Sequence, residues 1–125
     1  MIKMENLISM FEIPASDFQR AVTFYKAILN AEIDELDWQG TKMGLFPTDG
    51  TYVSGSIIEA PDYRPSSDGV IVYLNGGNDL QVILDRVEAN NGKVIVAKTE
   101  ISPEMGFYAT FADTEGNKLG LHSMQ

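Results

Sequence analysis

Cysteine is missing from this chain. Its absence excludes disulfides, thiolate zinc sites and cysteine nucleophiles, and leaves no redox compartment to be read. Basic residues are scarce: 9 Lys and Arg stand against 18 Asp and Glu, a net charge of −9. Phosphate binding needs basic patches, so nucleic acid and anionic membrane are not expected partners. The acidity itself reads as a device for solubility. No apolar run approaches the roughly 18 residues of a membrane-spanning helix. The first residues lack the basic, apolar, small-residue pattern of a secretory signal, so a cytoplasmic protein is expected. Gly76-Gly77 lacks the spacing and the lysine of a phosphate-binding loop, and neither Gly-x-Ser-x-Gly nor HExxH occurs.

What is present is a repeat. Ser16-Asp17-Phe18-Gln19-Arg20-Ala21-Val22-Thr23-Phe24-Tyr25 lies over Asn78-Asp79-Leu80-Gln81-Val82-Ile83-Leu84-Asp85-Arg86-Val87, an offset of 62 (78 − 16). Ser16 and Asn78 are N-cap types, each with a Gln three residues on. Apolar residues recur at helical spacing in both: Phe18, Ala21, Val22, Tyr25, then Leu80, Ile83, Leu84, Val87. The helix stops fall at Asn30 and Gly92. Duplicated halves commonly enclose a cleft, where small molecules bind. With 44% apolar residues, 6 Phe, 5 Tyr and 1 Trp, the 125 residues can fill an interior.

Each half reads as strand, helix, three strands. Strands are expected over 7–13, 32–36, 41–46 and 52–58, with a helix over 17–29; then strands over 70–74, 93–97, 107–112 and 118–122, with a helix over 79–90. The segment 99–105, with Pro103, reads as a loop. The chain is expected to be one domain: module one about 1–60, a linker about 61–68 and module two about 69–125. The fold class is α+β, two tandem βαβββ modules, each helix covering one sheet face and leaving the other for a cavity.

Two stretches carry a family resemblance. Phe11-Glu12-Ile13-Pro14-Ala15-Ser16-Asp17, followed by Ala21-Val22-Thr23-Phe24-Tyr25, resembles the opening module of the vicinal oxygen chelate superfamily, which includes glyoxalase I, extradiol dioxygenases and bleomycin-resistance proteins. Phe111-Ala112-Asp113-Thr114-Glu115-Gly116-Asn117-Lys118-Leu119-Gly120-Leu121 resembles that family's closing turn and strand, F-x-D-P-x-G-N-x-x-E-L. The resemblance implies an open barrel around a cleft and a homodimer. It also implies a metal position, and there this sequence departs from the family. The first-strand ligand position falls on Met10, its counterpart on Val72 (or Val70), and the last-strand glutamate on Gly120; 52–58 holds no Asp, Glu or His. Hard cations need several oxygen or imidazole donors, and a lone thioether does not supply them. No metal and no other cofactor is expected.

Strand alternation puts Met10 with Glu12, and Lys118 with Gly120 and His122, on the cavity face. The expected ligand-binding residues are Met10, Glu12, Val70, Val72, Tyr108, Gly120 and His122. Trp38 and Tyr52 are further aromatic candidates for the wall. Glu12 and His122 are the candidate catalytic pair, because an imidazole and a desolvated carboxylate can exchange protons near neutrality; ordinary roles at a strand end and a wet cavity mouth are the alternative for both. Three functions remain open at this point. One is a metal-independent protein binding a small, largely apolar molecule, another a lactoylglutathione lyase-like lyase or isomerase using Glu12 and His122, and the last a non-catalytic interaction subunit.

Overall fold

The computed structural model describes residues 6–125. The first module runs β1 (Met10–Pro14), α1 (Phe18–Leu29), β2 (Asp34–Trp38), β3 (Thr41–Leu45) and β4 (Ser54–Glu59). The second runs β5 (Tyr73–Asn75), α2 (Gln81–Val87, continued by a 3-10 turn, Glu88–Asn90), β6 (Lys93–Ser102), β7 (Gly106–Ala112) and β8 (Lys118–Ser123). The fold is α+β, with two four-stranded mixed sheets ordered β1-β4-β3-β2 and β5-β8-β7-β6. In each sheet the first strand pairs parallel with the last and the others pair antiparallel. The sheets do not close into a barrel.

The hydrophobic face of each sheet turns to the helices, and both contribute to one core. Ile13, Phe18, Val22, Ile28 and Ile57 of the first module are continuous with Leu80, Leu84, Val87, Phe111, Leu119 and Leu121 of the second. Phe24 of α1 reaches across to Phe111 of β7, with ring centroids 6.1 Å apart. Gly92 makes room for it, since a Cβ there would enter the Phe24 ring. Each fully buried large side chain contributes roughly 1.5–3 kcal/mol, so this shared interior ties the modules together.

A polar joint reinforces the core. The Asp113 carboxylate is buried and accepts from Tyr25 Oη (2.7 Å), Asn117 Nδ2 (3.0 Å) and the backbone N–H groups of Glu115 and Asn117 (both 2.9 Å). Asn117 Nδ2 also donates to the carbonyl of Pro14 at 2.7 Å, and its Oδ1 accepts from the N–H of Ser66. Burial, and then the Asp113 carboxylate, hold the Tyr25 hydroxyl well above its ordinary pKa, so it remains a donor. The Asp113–Asn117 turn of module two thus grips β1 and α1 of module one.

Several boundaries differ from the sequence reading. Helix α1 is capped by Asp17, whose carboxylate accepts from the N–H of Arg20, because Ser16 gives its N–H and hydroxyl to Glu115. Helix α2 starts later, with Asp79 accepting from the N–H of Gln81; its end is marked by left-handed Asn91, not Gly92. β6 runs on through the expected loop to Ser102, because β7 pairs with it along its length through three register shifts. β2 runs on to Trp38, two residues past the expected end at 36. β4 reaches Glu59, whose carboxylate accepts from the N–H of Phe18 and so serves the helix start. Ser123 does the same for Leu80 in module two.

Candidate functional site

Cross-strand partners share a sheet face, which sets what the outer face of each sheet carries. In β8, Leu119 and Leu121 are buried in the core, so Lys118, Gly120 and His122 face outward with their partners Ala112, Thr110 and Tyr108. The parity expected for Gly120 and His122 is therefore present. On the first sheet the outward set includes Met10 and Glu12, opposite Ser54 and Ser56.

The partner of Gly120 on β5 is Tyr73. Val70 and Val72 precede the three-residue strand, and the carbonyl of Val72 accepts from the N–H of Gly120. The Tyr73 ring lies across Gly120 so closely that any Cβ there would collide with it. The space over Gly120 is thus filled by a neighbouring ring. A leucine at Gly120 would strike that ring, so it does not serve as a neutral probe of a cavity.

Three cavities divide the expected site residues. Glu12, Val70 and Val72 line a small polar one of about 220 Å³, with Arg64, Asp68 and Lys118. Tyr108 and His122 line an open recess on the outer face of the second sheet, with Tyr73 and Ile101. The third and largest, about 620 Å³, lies at the seam between β1 and β5. Phe11, Leu29, Phe46, Val53, Ile71 and Leu74 form most of its wall, and Val70, Val72 and Tyr73 also border it. Met10 is exposed and lines none of these three, and neither does Gly120. Trp38 and Tyr52 are exposed and stand apart from all three as well.

Glu12 and His122 border different cavities and make no hydrogen bond to each other. The His122 Nε2 lies 2.6 Å from the carbonyl oxygen of Met105. A carbonyl only accepts, so Nε2 carries the proton that is donated to it. Among the described residues no group of three or more His, Asp and Glu side chains is placed to hold a metal ion. No described helix is long and apolar enough to cross a membrane.

Sequence reasoning missed Tyr73 and the seam. A signal for the first existed in the loop lengths. The strand–helix connection holds three residues in module one (15–17) and five in module two (76–80), so an offset taken from the helices misplaces the strand.

Two βαβββ units, each with its first strand parallel to its last, define a vicinal oxygen chelate fold. Residues 7–121 match the Glyoxalase/Bleomycin resistance protein/Dioxygenase superfamily, and the chain belongs to it. It is similar to a Didymella fabae protein described as a glyoxylase-like domain-containing protein, 29% identical over an alignment of 121 positions that covers 88% of this chain and 88% of that one. Among solved structures it resembles fosfomycin resistance protein FosX from Listeria monocytogenes, with a TM-score of 0.70, 16% identity and 97% and 92% of the two chains covered. It also resembles TnmS3, an antibiotic binding protein from Streptomyces sp. CB03234, with a TM-score of 0.66, 19% identity and 97% and 98% covered. At such identities these structures speak for the fold alone.

Proposed function

We propose that this protein binds a small, largely apolar molecule without a metal ion. The observation that carries the reading is the seam cavity. Its volume of about 620 Å³ falls within the roughly 300–1,000 Å³ of small-molecule sites, and its wall is mainly aliphatic and aromatic. Apolar surface buried there contributes roughly 25 cal/mol per Å², and Ser54 and Asn75 supply the few polar atoms at its border. The outward pairs Glu12–Ser56 and Tyr73–Gly120 offer one carboxylate and otherwise neutral or absent side chains. That donor set does not fit a divalent cation. Proton transfer between Glu12 and His122 is the weaker reading, because one chain does not bring the two together. The architecture shared with an antibiotic binding protein is consistent with sequestration as the role.

The test fills the cavity. Ile71 borders it and lies outside every strand. Ile71→Trp is expected to weaken binding of hits from a metabolite thermal-shift screen at least tenfold. Wild-type binding should persist in excess chelator. Unchanged affinity in the variant, in a protein that melts as wild type does, would remove the seam as the site.

A homodimer is proposed alongside. Met10, Leu36 and Trp38 on the outer face of the first sheet are 63, 50 and 66% exposed, and Tyr73 and Ile101 on the second are 49 and 46%. Apolar faces and edge strands of this kind seek cover, and a second copy supplies both. Sedimentation at micromolar concentration should give twice the 13.8 kDa chain mass; a monomer alone would contradict the pairing.

A further inference from the structure

Tyr73 borders two cavities, the seam and the outer-face recess shared with Ile101, Tyr108 and His122. It therefore stands as the partition between them. Its ring rests on Gly120, and the next residue across the sheet on that same face is Thr110. Thr110 is 4% exposed, and its Oγ1 is the one buried side-chain polar atom among the described residues without a hydrogen-bond partner. A buried hydroxyl left unpaired is destabilising, and proteins rarely keep one without a use. Isosteric valine would avoid the penalty. The Tyr73 ring itself is held lightly. It is half-exposed, and β5 has three residues and pairs on one side only, with β8.

We propose that the slot over Gly120 and Thr110 is a ligand subsite that Tyr73 occupies in the absence of ligand. Its occupant is a flat aromatic group bearing a hydroxyl or carbonyl, which displaces the Tyr73 ring and hydrogen-bonds Thr110 Oγ1. This rests on the seam reading: the apolar body of the ligand fills the seam, and its planar head enters the slot that Tyr73 vacates. Three features set the chemistry. The slot already takes a six-membered ring, which fixes its thickness. Glycine at its floor admits a plane against the backbone but no side chain. Thr110, next across the sheet on that face, carries a hydroxyl that both donates and accepts, so it selects a polar substituent without demanding a charge. Tyr73 is then a specificity-determining residue that makes every occupant compete with an internal ring.

The probes are naphthalene and 2-naphthol, matched in shape and differing by one hydroxyl, and binding is followed by titration calorimetry. Wild type should prefer 2-naphthol. Tyr73→Ala should bind it at least tenfold more tightly than wild type, because no ring has to be displaced. Thr110→Val should bring the two affinities to within twofold of each other, in wild type and in the Tyr73→Ala background alike. Thr110→Val should also raise the melting midpoint by a few degrees, a readout that needs no ligand and holds even if Tyr73→Ala fails to fold. Equal affinities for the two probes in wild type, or a preference that survives Thr110→Val, overturn the subsite and leave the seam reading standing. Failure of both probes to bind wild type and Tyr73→Ala overturns both.

Discussion

Asp113→Ala is expected to lower the free energy of unfolding by about 4 kcal/mol, a large part of the roughly 5–15 kcal/mol that holds a domain of this size. The carboxylate accepts four hydrogen bonds while 5% exposed, two from its own turn and two from the side chains of Tyr25 and Asn117. Alanine leaves those donors buried with no acceptor. Each orphaned group costs about 1–3 kcal/mol, and groups in one network do not add fully. Tyr25 is 0% exposed, so water cannot replace the lost partner without opening the core. Tyr25→Phe removes one donor and one demand together and should cost about 1 kcal/mol. Urea denaturation of the three proteins decides the matter. A loss below about 1 kcal/mol for Asp113→Ala, with an unchanged denaturant slope, would show that the joint does not hold the modules.

The legible part of the fold was the part written in local periodicity. Phe18, Ala21, Val22 and Tyr25 do form the buried stripe of α1, and Leu119 and Leu121 do lie beneath the helices. The joint was not legible, because it is long-range. Glu115 lies 99 residues from Ser16, and nothing in Asp113-Thr114-Glu115-Gly116-Asn117 beyond a turn signal says what its carboxylates grip. The segment 99–105, with Pro103, has loop composition, but pairing with β7 overrides that local preference and carries β6 to Ser102.

The candidate site fared unevenly for a geometric reason. A strand has a period of two, so a slip of one residue exchanges its faces. The helices repeat at an offset of 62, but Glu12 and Tyr73, which occupy matching places opposite Ser56 and Gly120, are offset by 61 (73 − 12). Carried back onto the strand, the helix offset sets Val72 (10 + 62) at the place of Met10 where the strand offset sets Ile71 (10 + 61), and so exchanges the faces and turns Tyr73 away from the side it occupies beside Gly120. Within β8 no such carry-over was needed, and Gly120 and His122 faced the expected way. The seam cavity depends on how two sheet edges meet, which no local pattern encodes.

Acid should dissolve the second half of the joint. The Glu115 side chain is shielded from solvent and receives the Nε (2.7 Å) and Nη2 (3.1 Å) of Arg20 on its two oxygens. Ser16 and Asp17 add their backbone N–H groups, and Thr114 its hydroxyl. Burial pushes its pKa up, but the Arg20 hydrogen bonds, the Asp17 N–H and the Thr114 hydroxyl outweigh that and bring it from 4.5 down to about 2. A depressed carboxylate stabilises the folded state above its unfolded pKa, and that stability is lost as pH falls through the folded one. The window is therefore from about 5 down to about 2. The full displacement corresponds to about 3 kcal/mol at roughly 1.4 kcal/mol per unit. Arg20 is half-exposed, so solvent screening reduces this to about 2 kcal/mol. Glu115→Gln separates this carboxylate from the other acids. At pH 7 the variant should be about 2 kcal/mol less stable than wild type, and the gap should close as pH approaches 2. High salt should narrow it in part, because Arg20 is half-exposed. A gap that stays constant from pH 7 to pH 2.5 would mean that Glu115 acts by packing and not by charge, and that the hold of module two on the start of α1 is not an ionic one.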